Sequence, residues 1–182
     1  MHQPGLSTSE MTVNSTDDAA IGRAPSPTLD GADRPSFEDL YRSAYTPMLR
    51  LASLLVDTVD EAEHVVQDAF VAIYRRYDTV RNPGGYLRVT VINGCRKTLR
   101  RRRLVRRRPG DRDEHSELVF NHVIDEIKRL PIDQRVLIGL RYDQQMTDSE
   151  IADELEIPIG TVKSRLHRAI STLRTSTEQE NQ

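Results

Sequence analysis

At 182 residues, with a net charge of −2, 37% hydrophobic residues, 5% aromatics and one cysteine, the chain suits two small domains better than one large core. No apolar run approaches the roughly 18 residues of a membrane-spanning helix, no basic-then-apolar signal pattern opens the chain, and a lone Cys95 cannot form an intramolecular disulfide, so the reading is a cytoplasmic protein without membrane insertion. The near-neutral total conceals two basic stretches without Asp or Glu, residues 79–110 and 157–174, a pattern suited to touching a polyanion at two places.

In chain order, residues 1–33 are rich in Ser, Thr, Pro, Gly and Asp and read as a disordered tail. Ser36-x-x-Asp39 starts a helix to about residue 56 through Leu40, Ala44, Met48, Leu51 and Leu55, with Pro47 predicting a kink or a break. Thr58-x-x-Glu61 is a capping box opening a second helix to about residue 77 through Ala62, Val65, Val66, Ala69, Phe70 and Ile73. Residues 78–82 form a loop, and Asn82-Pro83 reads as an N-cap followed by a first-turn proline, starting a third long helix to about residue 107. The polar run 109–117 is a linker. Residues 34–108 make the first domain and 118–175 the second, with a frayed tail at 176–182. No strand pattern is present, so the fold class is all-α: two small helical domains joined by a flexible linker.

The second domain begins with a helix over 118–130, and Pro131 restarts the chain into another through Val136, Leu137, Ile138 and Leu140. Residues 147–174, TDSEIADELEIPIGTVKSRLHRAISTLR, then read as a helix-turn-helix. Thr147 and Glu150 form a second capping box, the break falls at Glu156-Ile157-Pro158, and Val162, Leu166, Ala169, Ile170 and Leu173 should pack inward. Glu156 stands where such turns often hold Gly, which predicts a strained positive φ. The opposite face carries Thr161, Lys163, Ser164, Arg165, His167 and Arg168, a basic surface suited to the DNA major groove. No Walker loop, nucleophile elbow or paired catalytic carboxylates appear, so no enzyme and no cofactor is expected. Cys95 has no second Cys and no His-x-x-His cluster beside it and reads as a buried residue, with no metal site.

With both halves laid out, the chain resembles the extracytoplasmic-function (ECF) sigma factors of RNA polymerase, members of the sigma-70 family, over about residues 35–175. DEAEHVVQDAF at 60–70 is similar to the family's region 2 segment. LP-x-x-QR-V-L at 130–137, followed by EIA and GTVKSRLHRA, is similar to region 4. The resemblance implies transcription initiation at specific promoters. It places Gln67 and Asp68, with Glu63, Val66 and Phe70, against the clamp helices of the largest subunit of core RNA polymerase, with the flap as a further contact. Val66 and Phe70 equally suit a core. His64 stands where the family commonly has Asp. The resemblance also implies that the third helix reads the −10 element of promoter DNA through Asn93, flanked by Arg88, Arg96, Lys97 and Arg100 on or near one face. The loop at 79–83 would capture a flipped base, and Tyr86 would stack on a base or pack in the core. The arginines of 100–103 and 106–108 would contact phosphates. Lys163, Ser164, His167 and Arg168 would read the −35 element, with Thr161 and Arg165 on phosphates. An anti-sigma factor is implied as a partner. The competing readings are a stand-alone helix-turn-helix repressor and a sigma-like interaction decoy.

Overall fold

The computed structural model describes residues 34–106 and 122–180. The expected tail at 1–33, the linker at 109–117 and the first residues of the second domain, 118–121, lie outside the described residues.

The first unit packs three helices, α1 (Phe37–Leu55), α2 (Val59–Tyr74) and α3 (Pro83–Arg106). Each start is fixed locally. Ser36 Oγ accepts from the Asp39 N–H at 3.1 Å while the Asp39 carboxylate accepts from the Ser36 N–H at 3.3 Å. Thr58 and Glu61 make the same reciprocal box before α2. Asn82 Oδ1 accepts from the Gly85 N–H at 3.0 Å before α3. Pro47 does not break α1, which runs through it. The apolar positions meet in a core where Leu51, Leu55, Val66, Ile73, Leu87, Val91 and Ile92 are fully buried; each such side chain contributes about 1.5–3 kcal/mol. Gly94 lets α3 approach α2, because a Cβ there would lie 2.7 Å from Val65 Cγ1. Cys95, one residue on, is buried and free, and burial pushes its thiol up to about 12.

The second unit comprises α4 (His122–Arg129), α5 (Ile132–Ile138), α6 (Asp148–Leu155) and α7 (Ile159–Glu180). Between α5 and α6 the chain takes one wide π-type turn, Gly139–Asp143, in which the Gln144 N–H reaches back to the Gly139 carbonyl at 3.0 Å. Hydrophobic spacing did not anticipate that turn. α7 continues to Glu180, past the fraying expected from residue 176. Its buried seam is Val162, Leu166 and Ala169, with Leu173 half-buried behind them. Ile170, expected inside, is 37% exposed, because it lies about 100° round the helix from Ala169 and off that seam.

The two units share one apolar core. The wide turn lies on α1, where a Cβ on Gly139 would come within 2.6 Å of Leu51 Cδ1. Beside it Arg50 Nε donates to Asp143 at 2.9 Å and Arg135 Nη1 donates to the Leu55 carbonyl at 3.1 Å.

Candidate nucleic-acid and protein interfaces

The helix-turn-helix is built from short-range rules. The Thr147 hydroxyl accepts from the Glu150 N–H at 3.2 Å, and Glu150 accepts from the Thr147 N–H at 2.7 Å. The backbone bond to Thr147, then the side-chain bond, holds the Glu150 carboxyl below its usual range. α6 ends at Glu156 in the left-handed region, φ 53 and ψ 42, as the missing Gly predicted. The Ile157 N–H returns to the Ala152 carbonyl at 3.0 Å, and Pro158 turns the chain into α7. Lys163, Ser164, His167 and Arg168 are exposed together on one face of α7. Thr161 and Arg165 are half-buried beside them, and Arg165 Nη1 lies 3.7 Å from Asp133.

On α3 the exposed side chains Asn93, Lys97 and Arg100 lie at i, i+4 and i+7 and share one face with the half-buried Arg96. Tyr86 is on that side one heptad earlier, half-buried against the core. Arg88 departs from the expected face. It turns toward α6, where its Nε and Nη2 donate to the two Glu154 oxygens at 2.7 and 2.5 Å. The Glu154 hydrogen bond holds the Arg88 guanidinium above its ordinary value. Arg96 donates to Asp133 at 3.1 Å. Within the arginine run, Arg100, Arg101 and Arg103 are exposed. Arg102 instead folds onto Asp57 at 3.1 Å and Glu61 at 3.4 Å, which ties the far end of α3 to the start of α2. The side chain of Arg106, and Arg107 and Arg108, lie outside the described residues.

The loop before α3 has a clasp that sequence reading missed. Arg34 donates to the carbonyls of Tyr77, Asp78 (3.4 Å) and Val80 (2.8 Å), and its guanidinium sits 4.4 Å above the Tyr77 ring. The Tyr77 hydroxyl donates to the Pro35 carbonyl in return. No local signal announces a contact between partners more than 40 residues apart.

The α2 surface divides sharply. Glu63, His64, Gln67 and Asp68 are exposed, and His64 Nε2 lies 3.6 Å from Asp68. Val66 and Phe70 are in the core, so a partner cannot reach them; Phe70 packs among Phe37, Tyr41 and Tyr45. The apolar groups that do flank Gln67 outside are Val71, 52% exposed, and Tyr74, 66% exposed, one and two turns on. Their spacing from Gln67, i+4 and i+7, was the readable signal. Among the described residues no helix is long and apolar enough to cross a membrane.

Two family models match this chain. Residues 40–119 match the model of Sigma-70 region 2 and residues 122–173 that of Sigma-70, region 4. The RNA polymerase sigma-E factor of Streptomyces coelicolor is 33% identical over 150 residues, covering 76% of this chain and 84% of that protein. The ECF RNA polymerase sigma factor SigM of Mycobacterium tuberculosis is 31% identical over 153 residues, 78% of this chain and 76% of the relative. In fold, the chain is similar to the sigma factor RpoE crystallised with the anti-sigma factor NepR from Bartonella quintana, with a TM-score of 0.67 at 23% identity over 78% of this chain and 96% of that one. It is also similar to CnrH in complex with the cytosolic domain of CnrY, at 0.60 and 21% over 79% and 88%.

Proposed function

The chain belongs to the ECF group of the sigma-70 family, as a sigma factor for transcription initiation, and from that premise we propose how its surfaces divide the work. Gln67, Asp68 and Glu63 dock α2 on the clamp helices of core RNA polymerase, with Val71 and Tyr74 as the apolar part of that contact in place of the buried Val66 and Phe70. Asn93, Arg96, Lys97 and Arg100 meet the −10 element, and the loop at 79–83 receives a base from the opened strand. Capture must offset unstacking of a few kcal/mol, which favours a loop held in one shape, as Arg34 holds this one. Lys163, Ser164, His167 and Arg168 read base edges of the −35 element in the major groove, with Thr161 and Arg165 on phosphates. A further reading is control by an anti-sigma factor, supported by the similar fold of RpoE in its complex with the anti-sigma factor NepR.

The observation that carries the proposal is the exposed face of α7, with Lys163, Ser164, His167 and Arg168 together on the second helix of a capped helix-turn-helix. Two readers on one chain need not bind tightly alone, since each raises the effective concentration of the other. The test is run-off transcription with core polymerase on a pool of genomic promoter fragments. Selective transcripts that appear only with the protein, and vanish in a Gln67→Ala, Asp68→Ala variant that still binds duplex DNA, are the expected result. Sequence-specific DNA binding without any transcript would favour a repressor instead.

A further inference from the structure

Arg34 stands at the edge of the first unit, just before the cap of α1, and reaches a loop 43 to 46 residues further along the chain. Its place is set locally. Pro35 disfavours helical backbone at the residue before it, and the Ser36–Asp39 capping box fixes the first turn of α1 immediately after. The side chain runs from there to the short 3₁₀ turn Tyr77–Thr79 that follows α2. It donates to three carbonyls around that turn, those of Tyr77, Asp78 (3.4 Å) and Val80 (2.8 Å). Carbonyls at the end of a helical turn have no partner within it, so a cation with several donors suits the place. The guanidinium also lies 4.4 Å from the centre of the Tyr77 ring. That ring is buried, meets Phe37 edge-on at 5.6 Å, and returns its hydroxyl to the Pro35 carbonyl. Among the described residues, the other hydrogen bonds of 77–82 run to partners within four residues. Arg34 and Pro35 therefore supply the long-range polar contacts that tie this loop to the rest of the unit.

A site whose competent form is only partly populated binds more weakly by that fraction. A loop that receives a base therefore gains from being held in one shape. We propose that Arg34 is a positioning residue for strand opening: with Tyr77 it fixes the shape of the loop at 79–83, and it does not itself bind DNA. This rests on reading that loop as the receptor of a flipped base. The guanidinium is engaged on carbonyls and on a ring face, so its charge serves the protein rather than a phosphate. A lysine cannot take its place, because an ammonium on a flexible stem lacks the planar fork that spans neighbouring carbonyls and stacks on an aromatic face. The shape matters at one step. Duplex DNA with every base stacked makes no use of the loop, whereas opening must offset the cost of unstacking.

The test uses the full chain with core polymerase on a promoter recovered from the run-off pool. Permanganate reactivity of the −10 thymines reads strand opening, and retention of duplex in the cold reads closed-complex binding. Arg34→Gln is expected to lower opening about tenfold, as the fraction of competent loops falls from near one to about a tenth. Closed-complex binding and its salt slope should not change. Transcripts from the same promoter with a mismatched −10 element should fall less than about twofold, because unstacking no longer has to be offset. Arg34→Lys should behave as Arg34→Gln does. Tyr77→Phe, which loses only the hydroxyl, should have a smaller effect and add little once Arg34 is replaced, since the two act as one unit. Arg42→Gln, which removes an exposed cation paired with Glu38, is the control and should change nothing. Full opening with Arg34→Lys, and a salt slope lowered by roughly 0.7 in Arg34→Gln, would make Arg34 a phosphate contact and overturn the proposal. Equal losses in closed-complex binding and in opening would reduce Arg34 to a general structural role and overturn it too. Unchanged opening in Arg34→Gln would also overturn it, and Arg81→Ala at the exposed tip of the loop then separates the two failures. Opening lowered by Arg81→Ala would leave the loop as the base receptor; opening unchanged there as well would remove that reading with the proposal.

Discussion

The two helices assigned to DNA, α7 and α3, are both long, basic and free of acids along the segment that matters, yet they present their charge differently. On α7, Lys163, Ser164, His167 and Arg168 stand on an open face, and nearby short-range features set that face: a capping box, a left-handed turn and a proline. On α3, Arg88, Arg96 and Arg102 are each directed by an acid remote in sequence, Glu154, Asp133, and Asp57 with Glu61. A cation in the sequence therefore identifies a DNA contact well where local geometry decides its direction, and poorly where tertiary partners do.

The largest expected effects test whether each reader stands on its own core. Ile73→Ala in the first unit and Ile151→Ala in the second each remove a fully buried side chain and should cost about 2–5 kcal/mol, read as a fall in the urea midpoint. A loss under about 1 kcal/mol at either site would mean that its core repacks freely, and that the surface above it is not rigidly held. Next come the readers themselves. Arg168→Ala should lose about 1–3 kcal/mol of discrimination at one base position. Arg100→Ala should weaken binding to all sequences and lower the salt slope by roughly 0.9. Competition binding over a promoter library at two salt concentrations measures both, and equal loss of selectivity in the two variants would erase the proposed contrast.

The helix starts offer a smaller and matched comparison. Asn82→Ala removes the cap of α3 and Thr147→Ala that of α6, each worth about 0.5–2 kcal/mol. Only the second should alter the acid limb. The folded-state pKa of Glu150 lies below its ordinary 4.5, so its contribution is present above that value and is lost as pH falls through the lower, folded value. Thermal melts between pH 7 and 3 should show the Thr147→Ala deficit narrowing in part as pH falls, because only the hydroxyl's bond to the Glu150 carboxylate is lost while its bond to the Glu150 N–H remains in the parent, whereas Asn82→Ala keeps its whole deficit. Parallel curves for both would remove Glu150 from the account.

What was legible in the sequence follows the same divide. The all-helical class, the capping boxes at Thr58 and Thr147, the helix start at Ser36, the Asn82 cap, the strained Glu156 and the open face of α7 depend on residues within about one helical turn of one another, and sequence spacing gives that directly. Val66 and Phe70 were ambiguous because an apolar residue on a helix suits a core or a partner equally; the packing of α1 decided for the core, and Val71 and Tyr74 were left outside. The direction of Arg88, the clasp of Arg34 and the engagement of Arg102 arise from contacts 41 to 66 residues apart in sequence. No periodicity encodes such contacts. The wide turn at Gly139 was missed for a related reason, since its spacing departs from a regular helix only by a single widened loop.

The smallest expected effect sharpens the contrast at the turn itself. Glu156 holds φ at 53, where an ordinary residue costs about 1–2 kcal/mol relative to the right-handed region. Glu156→Gly removes that strain but gives the unfolded chain more freedom, at a cost of about 0.5–1 kcal/mol. The side chain is exposed and no packing is lost. Against a gain stands the Glu156 charge, which lies just before the N-terminus of α7, where an anion stabilises the helix by about 0.3–1 kcal/mol at low ionic strength. The three contributions nearly cancel at low salt, so the sign should depend on salt: about neutral at low ionic strength, and stabilising by up to about 1 kcal/mol once the charge is screened. Urea midpoints at two salt concentrations decide it. A variant less stable than the parent at both would show that the left-handed turn carries little strain, and that α7 is positioned by long-range packing after all, as α3 is.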